Sequence, residues 1–323
     1  MSHAKKARVK NLSLLITIVL FVLLFTAGSM RYNRFFSLST FLNLFNDNAY
    51  LLVTSVGITF VLLTGGIDIS VASTLAFTGV FSAWLLQLGC PALVVIPLVL
   101  IIGLGVGLLM GYLIHNFKLQ PFIVTLAGQF FMRGMCAVIS TQSIVIENKF
   151  FQSMAMGRIL LGRARLYYYV IIVLVVILAA YYILKHTKFG RSVYAVGGNE
   201  QSALLMGLPV RRTKILVYGI SSFCAALGGV IFSFYTLAGY SLQNMGLEMD
   251  AISSAVIGGT LLTGGVGSVF GTMFGVLIQG VIQTIVTYQN LNTWWTKVTI
   301  ALLLCIFIVI QRLISLRAEK KHV

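Results

Sequence analysis

The sequence predicts an all-α polytopic membrane protein with about ten transmembrane helices, and three observations support this class. Of 323 residues, 59% are apolar and only 9% are charged, whereas soluble domains carry about 25% charged residues to keep their surfaces wetted. Apolar runs of about 20 residues, each long enough to cross roughly 30 Å of hydrocarbon, recur along the chain. The polar stretches between them are short. We therefore expect residues 1–323 to form a single transmembrane domain.

The apolar runs predict ten spans, at 12–30, 47–64, 70–89, 92–114, 121–140, 167–184, 215–237, 250–263, 269–288 and 297–314. The eighth is short and glycines crowd its end, which predicts either a full crossing or a broken, re-entrant helix that protein or water must bury. Asp68-Ile-Ser before the third span resembles Asp250-Ala-Ile-Ser in the eighth, and glycine-rich spans follow both. This repeat suggests two five-helix halves of inverted topology, with a substrate pathway between them.

The net charge of +16 indicates orientation rather than a nucleic-acid partner. Nucleic-acid binding would interleave the cations with aromatic residues on a wetted domain, but here they lie in short connections between apolar spans. With the N-terminus inside, fifteen Lys and Arg fall on the inner side and six on the outer side. Cations favour cytoplasmic loops. Both termini are therefore expected in the cytoplasm, with 141–166 as the main outer loop and 185–214 as the main inner loop.

The four cysteines and four histidines do not suggest a metal or catalytic site. Neither CxxC nor Cys/His spacing occurs among them, so buried free thiols are the expected state of the cysteines. The histidines do not cluster with acidic residues, which argues against a membrane enzyme. These residues are Cys90, Cys136, Cys224, Cys305, His3, His115, His186 and His322.

The ninth span carries a small or polar residue at every fourth position, and these form one stripe on a helix face. They are Gly271, Gly275, Gln279, Gln283 and Thr287. One interpretation is a helix-packing seam, since small residues let backbones approach closely. The other is that the polar half, from Gln279 onwards, faces the substrate passage. A similar ladder in the fourth span, with Gly107 and Gly111, predicts close helix packing.

The fifth span repeats this spacing behind Pro121, with Thr125, Gln129 and Arg133 at i, i+4 and i+8. All three are candidates for the substrate pathway. A charged residue inside a span usually faces a cavity or a partner. Alternatively, Arg133 snorkels to the outer interface.

Polar residues also stand at the starts of three other spans. The second opens with Asn46-Asp47-Asn48, which either caps a helix or contributes Asn46 and Asn48 to a polar vestibule. Asp68 follows a glycine pair, while Glu248 and Asp250 begin the eighth span. Acids at a helix start are favoured by the helix dipole, and a proton relay is the alternative reading.

The inner loop contains a short helix suited to docking on a cytosolic partner. Asn199 is expected to cap a helix over 200–206, which Gly207 ends, and 192–195 alternates like a short strand. A plain solvated loop has no need of the apolar residues on this helix. The candidate coupling residues are Asn199, Glu200, Ala203, Leu204, Leu205, Met206 and Gly207.

Several motifs resemble those of permease subunits of bacterial ABC importers, in the monosaccharide branch that includes the ribose permease. They are the inner loop, Gly65-Gly-Ile-Asp-Ile-Ser70, Thr125-Leu-Ala-Gly-Gln-Phe-Phe-Met-Arg-Gly134, the stretch Gly246–Thr260 and Leu291-Asn-Thr-Trp-Trp-Thr-Lys297. Within that branch the sequence is most similar to a permease of the galactofuranose importer, through Trp294-Trp295 and Asn46-Asp-Asn-Ala49. The inner loop keeps Glu200, Ala203 and Gly207 of the E-A-A-x3-G docking pattern, with Gln201 and Ser202 intervening.

The resemblance implies a pore subunit in the bacterial inner membrane that is not an enzyme. Its expected partners are a cytoplasmic ABC ATPase, a second homologous permease in a heterodimer, a periplasmic sugar-binding protein and the lipid bilayer. The nucleotide motif GxxxxGK[ST] is absent from the sequence, so this chain is expected to hold no cofactor, and ATP and Mg²⁺ belong on the ATPase. The alternative function is an ion-coupled secondary transporter, which should show acids in mid-membrane.

Overall fold

A computed structural model describes residues 3–32, 35–292 and 294–320 of the chain. In chain order, the helices of these residues are α1 His3–Arg31, α2 Leu38–Asp47, α3 Ala49–Leu63, α4 Val71–Gln87, α5 Ala92–Asn116, α6 Pro121–Ile139, α7 Lys149–Met156, α8 Tyr168–His186, α9 Lys188–Gly198, α10 Glu200–Leu205, α11 Val210–Thr236, α12 Leu247–Ile257, α13 Val269–Tyr288 and α14 Trp294–Lys320. The strands are β1 Ile144–Val145, β2 Arg158–Leu161, β3 Ala164–Tyr167 and β4 Ala238–Gly239.

Six of the helices are long and apolar enough to cross a membrane, within the described part of the chain. They lie in α1, α5, α6, α8, α11 and α13. A seventh span results if α2 and α3, which are bent by 59° at Asn48, count as one. By length and composition, the described helices therefore give six or seven membrane spans and not the predicted number of about ten. The difference comes from α4, α12 and the described apolar part of α14, which are shorter than the roughly 20 residues that a full crossing needs.

The predicted eighth span, 250–263, is a broken helix. Helix α12 has eleven residues and rises only about 16 Å at 1.5 Å per residue. Beyond it the chain turns through Gly259, Gly264 and Gly265, which all have positive φ angles that residues with a Cβ adopt only at a cost. This irregular segment then leads into α13, where the Ser268 hydroxyl caps the helix by accepting from the Gly271 amide at 3.0 Å.

Helix α3 lies at the centre of the bundle, with fourteen of its fifteen residues buried. Its neighbour α11 packs on one side at Gly57, where an added Cβ would lie 2.7 Å from the Cys224 side chain. Helix α5 covers the other side of α11 through a glycine ladder. A Cβ at Gly111 would lie 2.8 Å from the Ile215 Cα, and one at Gly107 would collide with the Tyr218 carbonyl oxygen. These glycines therefore stand where two helix backbones meet.

At one end of the bundle, three chain segments meet backbone to backbone. We call this contact of 63–66, 197–198 and 263–267 the glycine junction. The Gly265 amide donates to the Leu63 carbonyl at 2.9 Å, and an added Cβ at Gly264 would lie 2.7 Å from the Gly65 nitrogen. Because Gly197 also contacts Leu63 and Gly265 directly, α9 is held against the end of α3 and the connection between α12 and α13.

The opposite end, which we call the hairpin end, carries all four strands of the described residues. Strand β1 pairs with β4, and β2 pairs with β3 in an antiparallel hairpin. The buried Asn46 joins this hairpin to α2, since its amide donates to the Arg165 carbonyl at 2.8 Å and its oxygen accepts from the Tyr167 amide at 3.3 Å. Helices α3, α12 and α14 begin at this end.

The predicted strand at 192–195 is wrong, because these residues lie within α9. The Thr187 hydroxyl caps this helix by accepting from the Gly190 amide at 3.1 Å. Ser192, Val193 and Val196 are buried on α9. A four-residue alternation is too short to distinguish a strand from a helix, and packing against α8 and α11 decides the outcome.

Candidate functional site

The short helix α10 has the capped form that the sequence predicts. The Asn199 side chain accepts from the Ser202 amide at 2.8 Å, and Gly207 ends the helix with a φ of +74°. Ala203 is buried against Val196 and Val210. An ion pair of 2.6 Å between Glu200 and Lys214 also fixes α10 to the start of α11. These contacts hold α10 against α9 and α11.

The last turn of α10 exposes apolar side chains, beyond the exposed polar residues Glu200, Gln201 and Ser202 at its start. Leu204 is 64% exposed, Leu205 88% and Met206 67%. Three adjacent exposed apolar side chains on a capped helix are typical of a contact surface. Because α9 carries α10 and reaches the glycine junction, a force applied to this surface would act on the end of α3 and on the α12–α13 connection.

A polar cavity of about 230 Å³ lies at the hairpin end. Its walls come from the starts of α3, α12 and α14 and from the second half of α13. The polar side chains that line it are Asn48, Asn244, Asp250, Gln279, Gln283, Thr296 and Lys297. The volume is slightly below the roughly 300–1,000 Å³ of drug-sized ligand sites, which favours a small solute.

Some polar groups of this cavity have partners in the protein, while others have none. Gln279 donates to the Asp250 carbonyl at 3.0 Å, and the Asp250 carboxylate forms an ion pair with Lys297. Among the described residues, the Asn244 amide nitrogen and the Thr296 hydroxyl are buried without a hydrogen-bond partner. Both atoms are enclosed in the cavity wall, and unpaired buried polar atoms of this kind are costly.

The stripe of α13 that begins at Gly271 has different surroundings along its length. At its beginning, Gly271 lies directly against the carbonyl oxygen of Gly258, the residue that follows α12, and Gly275 against that of Ser254 on α12, so this half is in close helix contact. Further along, Gln279 and Gln283 line the polar cavity. Asn48, predicted as a vestibule residue, also lines this cavity, while its amide donates to the Leu44 carbonyl at 2.9 Å.

The remaining pathway candidates lie elsewhere. Asn46 holds the hairpin, and the buried Thr125 hydroxyl bonds to the Pro121 carbonyl within α6 at 2.9 Å. Gln129 reaches Glu248 at 3.4 Å. Arg133 donates to the carbonyls of Ser241 and Gln243 at 2.6 and 3.1 Å. Through these bonds of the guanidinium, α6 holds the segment that leads into α12.

Asp68 stands at a helix start, as the sequence predicts, but it also links two distant helices. Its carboxyl is fully buried. One oxygen accepts from the amide and hydroxyl of Ser70 at 3.0 and 2.6 Å, and the other from the Ser221 hydroxyl at 2.7 Å. Asp68 thus joins the start of α4 to α11. No signal within a short sequence window reveals the contact with Ser221, which lies 153 residues away.

Metal binding has no obvious location in the described part of the chain. No group of three or more His, Cys, Asp or Glu side chains there is arranged to hold an ion.

Comparisons with known proteins agree on one family. The model of a family described as branched-chain amino acid transport system / permease component matches residues 40–309. The chain is 45% identical to the inner membrane ABC transporter permease protein YjfF of Escherichia coli, over 97% of this chain and 96% of that protein. The fructose import permease protein FruG of Bifidobacterium longum is 36% identical, over 95% and 93%. The ribose import permease protein RbsC of Haemophilus influenzae is 32% identical, over 88% of each. No solved structure matches the chain significantly.

Proposed function

Because the chain belongs to the permease family of ABC sugar importers, whose members are membrane pore subunits rather than enzymes, we propose that it passes one monosaccharide, galactofuranose, into the cytoplasm by alternating access. The sugar would arrive from a periplasmic binding protein. ATP and Mg²⁺ would be bound by a partner ATPase. A second, homologous permease would complete a heterodimer.

The observation that carries this proposal is the exposed apolar surface of α10, formed by Leu204, Leu205 and Met206. We propose that this surface docks into the ATPase, with Asn199 and Gly207 fixing the helix ends. Movement of α9 would pass through the glycine junction to α3 and to the α12–α13 connection. Helix α3 and the two helices that this connection joins, α12 and α13, contribute walls to the polar cavity.

The polar cavity supports a monosaccharide as the cargo. Its amide, hydroxyl and carboxylate groups suit a ring with many hydroxyls, and its 230 Å³ suits one sugar ring better than a chain of them. The choice of galactofuranose as the sugar rests on the resemblance carried by Trp294-Trp295 and by Asn46-Asp-Asn-Ala49. The names of two similar permeases give fructose and ribose as the sugars to compare.

We also propose that the chain crosses the membrane ten times as two inverted halves, with both termini in the cytoplasm. The ends of the bundle fit this arrangement, since the predicted inner loop lies at the glycine junction and the predicted outer loop at the hairpin end. A cysteine placed at Gln201 should resist an impermeant thiol reagent in intact cells, whereas one at Leu161 should react. Both side chains are exposed. Labelling at 201 from outside would reverse the orientation.

The coupling proposal is tested by Leu205→Asp. Burial of one such leucine contributes roughly 1.5–3 kcal/mol, and a buried charge adds a desolvation cost. We expect the variant to insert normally, to lose co-purification of the ATPase at least tenfold and to lose sugar uptake. Leu119→Asp, in the exposed connection between α5 and α6, is the matched control and should retain both. Normal co-purification and uptake in Leu205→Asp would refute the docking surface.

A further inference from the structure

A second, larger cavity lies at the hairpin end and has no part in the function proposed so far. We call it the hairpin cavity; its volume is about 570 Å³, within the roughly 300–1,000 Å³ range of small-molecule sites. It lies between α2, the β2–β3 hairpin and the end of α11. Polar residues of its lining include Asn43, Asp47, Arg163, Arg165, Tyr167 and Tyr235.

The charged groups around this cavity are not neutralised by one another. Within the described residues, neither Asp47 nor Arg163 nor Arg165 forms an ion pair. A solute with many hydroxyl groups can accept from guanidinium groups and donate to a carboxylate, and such charge-assisted hydrogen bonds are among the strongest. Hydrogen bonds to sugar hydroxyls are close in energy to those that water makes with the same groups.

Aromatic side chains line the same cavity. Tyr167 and Tyr169 stack with ring centroids 5.4 Å apart and planes only 5° apart, and Tyr235 is about half exposed beside them. Tyrosines combine an apolar face with a polar tip, which suits the apolar face and the hydroxyl rim of a sugar ring. The mixture of tyrosines, one amide and both signs of charge favours a neutral carbohydrate over a purely anionic or apolar ligand.

The hairpin cavity and the polar cavity are separated by a single bend of the chain. Asp47, the last residue of α2, lines the hairpin cavity, and the next residue, Asn48, lines the polar cavity. The helices meet there at 59°. Asn46, one residue before Asp47, binds the hairpin through the backbone of Arg165 and Tyr167. These hydrogen bonds hold the bend against the hairpin.

From this juxtaposition we propose that the hairpin cavity is a binding subsite for the transported monosaccharide. The sugar occupies it after leaving the binding protein and before passing the α2–α3 bend into the polar cavity. The inference rests on the proposed function, and it adds Asn43, Asp47, Arg163 and Tyr235 to the residues that contact the sugar.

The experiment measures uptake of radiolabelled D-galactose, D-ribose and D-fructose by the complete complex in proteoliposomes, with the binding protein outside. We expect Asp47→Asn and Arg163→Gln each to raise KM about tenfold for the sugar that the wild type transports, while the maximal rate changes less than twofold. Arg158→Gln is the matched control, since Arg158 is exposed on the same hairpin and does not line the cavity. It should retain the wild-type KM.

A second measurement separates a sugar subsite from a protein-docking surface. Affinity of the sugar-free binding protein for the complex should be the same in wild type and Arg163→Gln. If Arg163→Gln weakens that affinity, or if Arg158→Gln raises KM equally, the arginines serve protein docking and the subsite is refuted. Unchanged KM in both cavity variants also refutes it. If the wild-type complex transports none of the three sugars, the proposed function itself fails first.

Discussion

The two ends of the helical bundle differ in what separates their chain segments. At the glycine junction no side chain separates them, since the backbones of Leu63, Gly197 and Gly265 touch directly. At the hairpin end, polar side chains surround two cavities of about 230 and 570 Å³. Closely packed interiors transmit displacement with little compression, whereas cavities leave room for a ligand. This contrast fits the proposed function, in which one end would receive movement and the other would hold the cargo.

The largest loss of stability is expected from a substitution at the glycine junction, where backbones touch. In Gly197→Ala the new methyl group would collide with the Leu63 carbonyl and the Gly265 amide. Overpacking costs typically about 1–3 kcal/mol, and here the neighbour is backbone that cannot rotate away. We expect most of the protein to be lost from the monodisperse peak in detergent gel filtration.

Gly105→Ala is the control for that variant, because a Cβ on Gly105 of α5 would meet no atom within 4 Å. It should give a wild-type elution profile and melting temperature. A wild-type profile for Gly197→Ala would show that the junction is looser than its backbone contacts indicate, and the contrast between the two ends would disappear.

An intermediate effect is expected in the polar cavity, where two glutamines of one stripe should behave differently. Gln279→Leu removes the hydrogen bond to the Asp250 carbonyl, so it should cost roughly 1–3 kcal/mol of stability as well as uptake. Gln283 is exposed to the cavity, so Gln283→Leu should raise KM several-fold with normal assembly. Uptake kinetics and thermal stability, measured on the same preparations, separate the two outcomes. Failed assembly of Gln283→Leu would favour a packing seam along the whole stripe.

The smallest effect is expected for the ion pair that borders this cavity. Lys297 is about half exposed and Asp250 about one-fifth exposed, and such pairs contribute only about 0–1 kcal/mol. Lys297→Gln should therefore change the melting temperature little, while sugar uptake falls because the cavity wall has changed. A large loss of stability would mean that the pair holds α12 to α14, and the hairpin end would be less adaptable than proposed.

Features fixed by neighbouring residues were predictable from the sequence. The cap at Asn199, the left-handed Gly207 and the break after α12 follow from local chemistry, and the structure confirms them. The cavities could not be predicted, because Asn48, Asp250 and Lys297 meet only through the fold. The burial of Asp68 depends in the same way on a distant serine. In α9, burial overrode the local alternation that predicted a strand.

The central position of α3 also has a consequence for the order in which the protein is made. This most enclosed helix is synthesised early, yet the Thr59 hydroxyl meets that of Thr272, at 2.7 Å, only 213 residues later. Until then, the hydroxyls of Thr54 and Thr59 can bond to the carbonyls of Tyr50 and Ser55 on the same helix, which leaves fewer polar groups facing lipid. We therefore expect α3 to remain in the bilayer with these hydroxyls bonded within the helix until the last quarter of the chain has been made and packs around it.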